Sequence, residues 1–245
     1  AAQNVVFLFV LTLAGGFFAL NVQRLVPYLR LGQREKRTDH PWRRFGDVMR
    51  VGIAQTKILR EPAAGLMHAT IFWGFIVLTV GTVEIFIQGV FPGFSSAQFL
   101  WRPLYLTYSA SQDAFALFVV IAVAYAYYRR LVEHPRRLDG DNIGHADAYI
   151  ILGLIGALMV TLLFANAFLE VARPGAVGTE KMASRGLATA LSRLTTTAAW
   201  RAYQTSWWLH VLTVLAFLNY LPYSKHLHVV TSLINVYFSN TVGKG

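Results

Sequence analysis

The sequence predicts an all-α, polytopic membrane protein: five transmembrane helices in one bundle, with the N-terminus outside and the C-terminus cytoplasmic. Three observations carry that prediction. Of 245 residues, 55% are hydrophobic and only 14% charged, with a mean hydropathy of +0.45, which is too little charge to coat a soluble domain of this length. Five stretches, about 4–26, 64–90, 111–130, 148–170 and 203–222 (the last extending to about 230), are long and apolar. Each is enough to cross a hydrocarbon core of about 30 Å, which takes roughly 20 helical residues. Lys and Arg are unevenly placed, with ten in 24–60, four in 129–137 and two after 222, against one at Arg102 and five between 173 and 201. Basic loops stay cytoplasmic, and this asymmetry sets the orientation.

The first apolar run flows directly into a basic segment, which fits a retained anchor rather than a cleaved signal. In the following segment, W-R-R-F-G-D-V-M-R-V-G-I-A-Q-T-K-I-L-R, the apolar Trp42, Phe45, Met49, Ile53 and Leu59 recur at helical spacing against Arg43, Arg44, Arg50, Lys57 and Arg60. That pattern predicts an interfacial helix with a basic face toward lipid headgroups or a partner. In the last outer loop, K-M-A-S-R-G-L-A-T-A-L-S-R-L predicts a second amphipathic helix resting on the membrane. Trp101, Tyr105, Trp200, Trp207 and Trp208 suit an interfacial aromatic belt. No repeat, low-complexity tract or linker interrupts the chain, so residues 1–245 read as one domain. The tail N-V-Y-F-S-N-T-V-G-K-G is expected to mark either the end of the ordered part or the start of another domain.

Composition also excludes. With no cysteine, this stretch holds no disulfide, thiolate zinc site or iron–sulfur cluster of its own. The net charge of +10 is explained by the cytoplasmic loops and anionic lipid, not by nucleic acid.

Seven histidines remain to be explained. His40, His134 and His145 fall in loops, where a solvated or phosphate-facing role is the ordinary one. His68, His210, His226 and His228 lie in or at the ends of apolar spans, where ionisable groups are costly and mark function. The plainer alternative for each is a helix cap or an interhelical hydrogen bond. On one continuous helix the 18 residues from His210 to His228 make five turns, so both face one way, about 27 Å apart along the axis. His226 then points about 160° away, although Pro222 is placed to kink the helix. His68, at the cytoplasmic start of helix 2, sits at the depth of His228 at the cytoplasmic end of helix 5. Two neutral imidazoles facing each other across a bundle are the ligand set of a low-spin b-type haem. Gly74 and Gly81, seven apart on one face of helix 2, either leave room for a macrocycle or serve an ordinary helix contact.

The helix 5 motif L-H-V-L-T-V-L-A-F-L-N-Y-L-P-Y-S-K-H-L-H-V-V-T-S and helix 2 L-M-H-A-T-I-F-W-G-F-I-V-L-T-V-G-T-V-E resemble two related groups. One is the cytochrome b (gamma) subunit of respiratory nitrate reductase. The other, the closer likeness, is the N-terminal membrane domain of heterodisulfide-reductase-like iron–sulfur oxidoreductases of the electron-transferring-flavoprotein:quinone type. The resemblance implies two haems stacked between helices 2 and 5. Carried over by position, His68 and His228 are the axial ligands of the cytoplasmic haem b, and His210 matches an outer ligand. The expected partner of His210, ten residues after His68, is Leu78, which cannot bind iron. His210 is therefore expected at either a second haem or a quinone site. The resemblance further implies menaquinone or ubiquinone as substrate, and a cytoplasmic partner or continuing domain that carries iron–sulfur clusters. Electron-transferring flavoprotein is a further implied partner, in a bacterial or archaeal cytoplasmic membrane.

Glu84, Asp113, Asn166 and Glu170 fall near the outer ends of helices 2, 3 and 4. They either cap helices at the water boundary or, for Glu84 and Glu170 above all, take a quinol proton. Two rivals stay open: a haem-free quinone-binding anchor for a soluble redox enzyme, and a transporter with histidine proton relays. Against the transporter, no matching Gly/Pro-broken helices occur in two halves.

Overall fold

A computed structural model describes residues 2–29, 31, 37–135 and 142–240. Eight α-helices follow in order: α1 Ala2–Leu29, α2 Pro41–Asp47, α3 Pro62–Val90, α4 Arg102–Tyr128, α5 Asn142–Ala172, α6 Met182–Ala190, α7 Thr196–Tyr220 and α8 His228–Tyr237. No strand occurs among the described residues. Among the described residues, four segments are long and apolar enough to cross a membrane: Gln3–Tyr28, Pro62–Val90, Arg102–Glu133 and Ala146–Ala172. Helix α7, the expected fifth span, forms over 25 residues. Its first half, T-T-A-A-W-R-A-Y-Q-T-S-W-W, is too polar and aromatic for it to join that set.

Helices α3 and α4 carry Pro62 and Pro103 in their first turns, where the missing N–H costs nothing. Helix α4 begins nine residues before the expected boundary and runs through a π-helical turn to Glu133. The core is the seam of α3, α4, α5 and α7, where Leu78, Val119, Val123, Ile155, Met159 and Phe217 are buried together. Helix α7 packs chiefly on α5, and α1 leans on α7 and α3 through Phe7.

Gly74 and Gly81 serve helix contact. A Cβ at Gly74 would collide with Val119 Cγ2, and one at Gly81 with the Gln112 side chain. Their role is therefore the close approach of α3 to α4, leaving no room there for a macrocycle.

Two expectations about the chain's path are corrected. The fifth helix does not run on to about 230: α7 stops at Tyr220, tight turns follow at Leu221–Tyr223 and Lys225–Leu227, and α8 starts at His228. Pro222 and an extended Ser224 (φ −100°, ψ 159°) make the break. Asp147 of α5 pins it, accepting from the Tyr220 hydroxyl at 2.6 Å and the Lys225 amide at 3.0 Å. The estimate of 27 Å between His210 and His228 assumed a straight helix and lapses with it.

The segment before α3 is likewise no single amphipathic helix. It comprises α2, a π-helical turn at Val48–Ile53 and a 3-10 turn at Ile58–Arg60. Its polarity is partly inverted, since Trp42 is 84% exposed and Arg44 only 2%. The Arg44 guanidinium donates to Tyr237 O and Ser239 O at 2.9 and 2.8 Å and to Asp39 at 2.7 Å, tying this segment to the end of α8. Spacing alone does not see those carbonyls, which lie nearly 200 residues away. The outer amphipathic helix does form, as α6.

Candidate functional site: a histidine-lined cavity

At the end of the bundle carrying most of the basic loops, α3, α4, α5, the turn at Lys225–Leu227 and α8 line a cavity of ≈ 240 Å³. Its wall is apolar, with Ile71, Phe72, Ile151 and Ile155 among the lining residues, and His68, His226 and His228 project into it. His68 comes from the first turns of α3, which Pro62 opens. His228 is the first residue of α8 and owes its position to the break after α7.

The ring centres of His68 and His228 are 6.0 Å apart with planes inclined at 36°. Two imidazoles on opposite sides of one iron, at bonds of about 2 Å, stand with ring centres about 6 Å apart. Nδ1 of His228 lies 2.7 Å from the Lys225 carbonyl, which fixes its proton there and leaves Nε2 as the free lone pair. Nδ1 of His68 is buried without a hydrogen-bond partner. Such an orphaned group is unusual unless something outside the chain engages the ring. Among the described residues, no three His, Cys, Asp or Glu side chains converge as a bare metal site would require. An axial pair asks for less, because a macrocycle brings the other four ligands itself.

His226 does not face elsewhere, as a continuous helix predicted. It is 9% exposed, 5.6 Å ring to ring from His228, and packed edge-on against Phe217 at 5.2 Å and Phe75 at 6.5 Å. The turn at Lys225–Leu227 swings it back. Sequence reasoning misplaced it by carrying the helical wheel past Pro222. Arg129, Arg130 and Lys225 also line the cavity, and the first two were counted only as loop charge.

The remaining site residues lie apart from this cavity. His210 is 5% exposed on α7 and turned to α5, with Nδ1 at 3.1 Å from both Thr161 Oγ1 and Leu158 O. Leu78 is packed in the apolar core. Glu84 accepts from Tyr108 OH at 2.7 Å and from the Ser96 amide and hydroxyl at 2.9 and 2.8 Å. Glu170 accepts from the Val177 amide at 2.9 Å and pairs with Arg185 at 2.9 Å. Asp113 caps α6 from across the bundle, receiving the Ala183 and Ser184 amides at 2.7 and 3.1 Å and the Ser184 hydroxyl. These carboxylates organise the loops around them. Of the loop histidines, His40 and His134 adopt left-handed turns at φ 50° and 42°, while the His145 side chain lies outside the described residues.

The chain has homologues among redox enzymes. It is 30% identical over its whole length to a probable iron–sulfur-binding oxidoreductase, FadF, of Bacillus subtilis, covering 34% of that protein. It is 27% identical over 195 residues to the EtfAB:quinone oxidoreductase of Syntrophomonas wolfei, across 76% of this chain and 26% of the relative. Both are oxidoreductases. They fit the likeness to heterodisulfide-reductase-like proteins and do not bear on the likeness to the nitrate reductase cytochrome. The chain spans about a third or less of the length of these relatives. No family model matches it, and no solved structure does.

Proposed function

We propose that the chain is the membrane electron-transfer module of a quinone-linked oxidoreductase, with one b-type haem held between His68 and His228. The observation that carries this reading is the His68–His228 pair with ring centres 6.0 Å apart, one member with its tautomer set by the Lys225 carbonyl and the other with an orphaned nitrogen. A haem held by two histidines cycles between oxidation states without an open position for oxygen. Around it, the chain's part is to hold and to exclude. Lys225 O orients the His228 ring, and Phe72, Ile151 and Ile155 give the site an apolar wall. Arg129 and Arg130 place positive charge at its rim, which favours acidic groups of a cofactor or partner.

On this reading α7 completes a set of five spans, and the basic end faces the cytoplasm of a bacterial or archaeal cell. Electrons pass between the membrane quinone pool and a cytoplasmic iron–sulfur or flavoprotein partner. The relatives' names support the redox role, the quinone and the iron–sulfur link. The lack of cysteine places any cluster on a partner or on further chain.

The test is a dithionite-reduced minus oxidised spectrum of the purified membrane protein and its variants. His68→Ala and His228→Ala are each expected to abolish the b-type band. His210→Leu is expected to leave it, because Leu78 stands where an axial partner for His210 was expected. A full band in both alanine variants would sink the assignment. Absence of any band in the wild type would leave the haem-free anchor.

A further inference from the structure

At the opposite end of the bundle a second cavity, of ≈ 390 Å³, opens between the start of α1, the end of α3 and the first half of α7. Its lining differs in kind from that of the histidine cavity. Side-chain amides project from Asn4, Gln88 and Gln204, and the flat walls are Phe7, Trp200 and Trp207. No charged residue lines it.

The walls are rigidly built. Phe7 is 1% exposed and fills the place a Cβ at Gly89 would take, so α1 and α3 lock at that point. Phe7 packs on Trp207 at 5.7 Å, and Trp207 stands perpendicular to Trp208 at 5.2 Å. Asn4 Nδ2 donates to Gly89 O at 2.8 Å. Trp200 is held from outside the cavity by the Arg173 guanidinium, 4.2 Å over its ring. The donors, by contrast, are available. Gln204 has no hydrogen-bond partner among the described residues, and Gln88 makes one long contact of 3.4 Å to Glu84. The cavity opens past Gln3 and Pro92, both exposed. Next to it, Val5, Val6 and Phe9 on α1 are 68%, 51% and 63% exposed, an apolar surface of the kind that lipid or a lipid-like tail covers.

Neutral N–H donors set around aromatic walls suit a neutral, planar ligand with carbonyl acceptors and a hydrophobic tail. A phosphate headgroup would want a cation in the lining. We propose that this cleft between α1, α3 and α7 binds the quinone headgroup, with Gln88 and Gln204 donating to its carbonyls and the ring lying against Trp200 or Trp207. The inference rests on the quinone-linked reading above and moves the site away from Glu84 and Glu170, whose oxygens accept from neighbouring groups, and from His210, whose Nδ1 is bonded to α5. Gln88 lies twenty residues beyond His68 on α3, hence about 30 Å away along the helix axis. Among the described residues His210, about 9 Å further along α7 from Gln204, is the one histidine between the two ends.

The experiment titrates decylubiquinone, and separately menadione, into the purified protein in phosphatidylcholine nanodiscs, followed by calorimetry. Gln88→Leu and Gln204→Leu are each expected to weaken binding about 3- to 10-fold, as loss of one hydrogen bond does. Trp200→Leu is expected to weaken it comparably, and all three should keep the b-type band as proof of folding. His68→Ala is expected to lose the band and bind quinone as the wild type does. Unchanged affinity in the three cleft variants overturns the site while leaving the haem reading intact. So does a phosphorus assay on the delipidated protein in phosphate-free detergent that shows a retained phospholipid and its release by Gln204→Leu. A wild type that binds neither quinone removes both this site and the quinone link, and the spectrum still decides the haem.

Discussion

Asp113 shows how a carboxylate near a membrane surface is used when it is not a proton acceptor for substrate. Its oxygens collect two amides and a hydroxyl at the start of α6, supplying from α4 the cap and the negative charge that Lys181 at the N-cap position does not. Asp113→Ala is expected to lower stability by about 2 kcal/mol, read as a lowered Tm of the protein in detergent, with the haem band unchanged in folded samples. On the other side, the guanidinium of Arg44 holds the Asp39 carboxyl below its ordinary range. A depressed carboxyl stabilises the fold above its unfolded value of 3.8 and loses that contribution as pH falls through its lower folded value. Thermal unfolding of the wild type below pH 4 is expected to show this loss, and Asp39→Asn to lack that component. His68, His210 and His228 stood out in the sequence because imidazole is costly in an apolar span. Most partners of Asp113, Glu84 and Arg44 were illegible, because they are backbone groups or side chains 12 to about 200 residues distant, the Arg44–Asp39 pair being local.

Among the elements, the four apolar helices were legible from hydropathy, because crossing length and composition are local properties. One boundary was not. The end of α7 depended on how Pro222 and Ser224 resolve their backbone bonds, and Asp147, pinning that turn from α5, is invisible to a helical wheel. That one break accounts for both the misplaced His226 and the shortened helix. The glycines of α3 pose the complementary case, legible as small but ambiguous in use. Gly74→Val is expected to push α3 from α4 and cost about 1–3 kcal/mol. Lowered thermal stability with reduced yield would bear this out, and a neutral effect would contradict the close contact.

For the whole molecule, the structure gives a bundle with two unlike ends, one with histidines and cations around an apolar cavity, the other with amides and aromatics. On the proposed reading the charge asymmetry sets the orientation, and the lack of cysteine makes it directly measurable. An impermeant maleimide is expected to label Arg193→Cys in intact cells and Lys57→Cys only after the cells are opened. The reverse pattern would invert the chain and place the histidine cavity outside. The central claim is that His68 and His228 form one axial pair and that His210, with Leu78 where its partner was expected, forms none. A pyridine haemochrome assay on the purified wild-type chain, set against its protein concentration, tests this most directly. The account predicts one b-type haem per chain; none, or two, would contradict it.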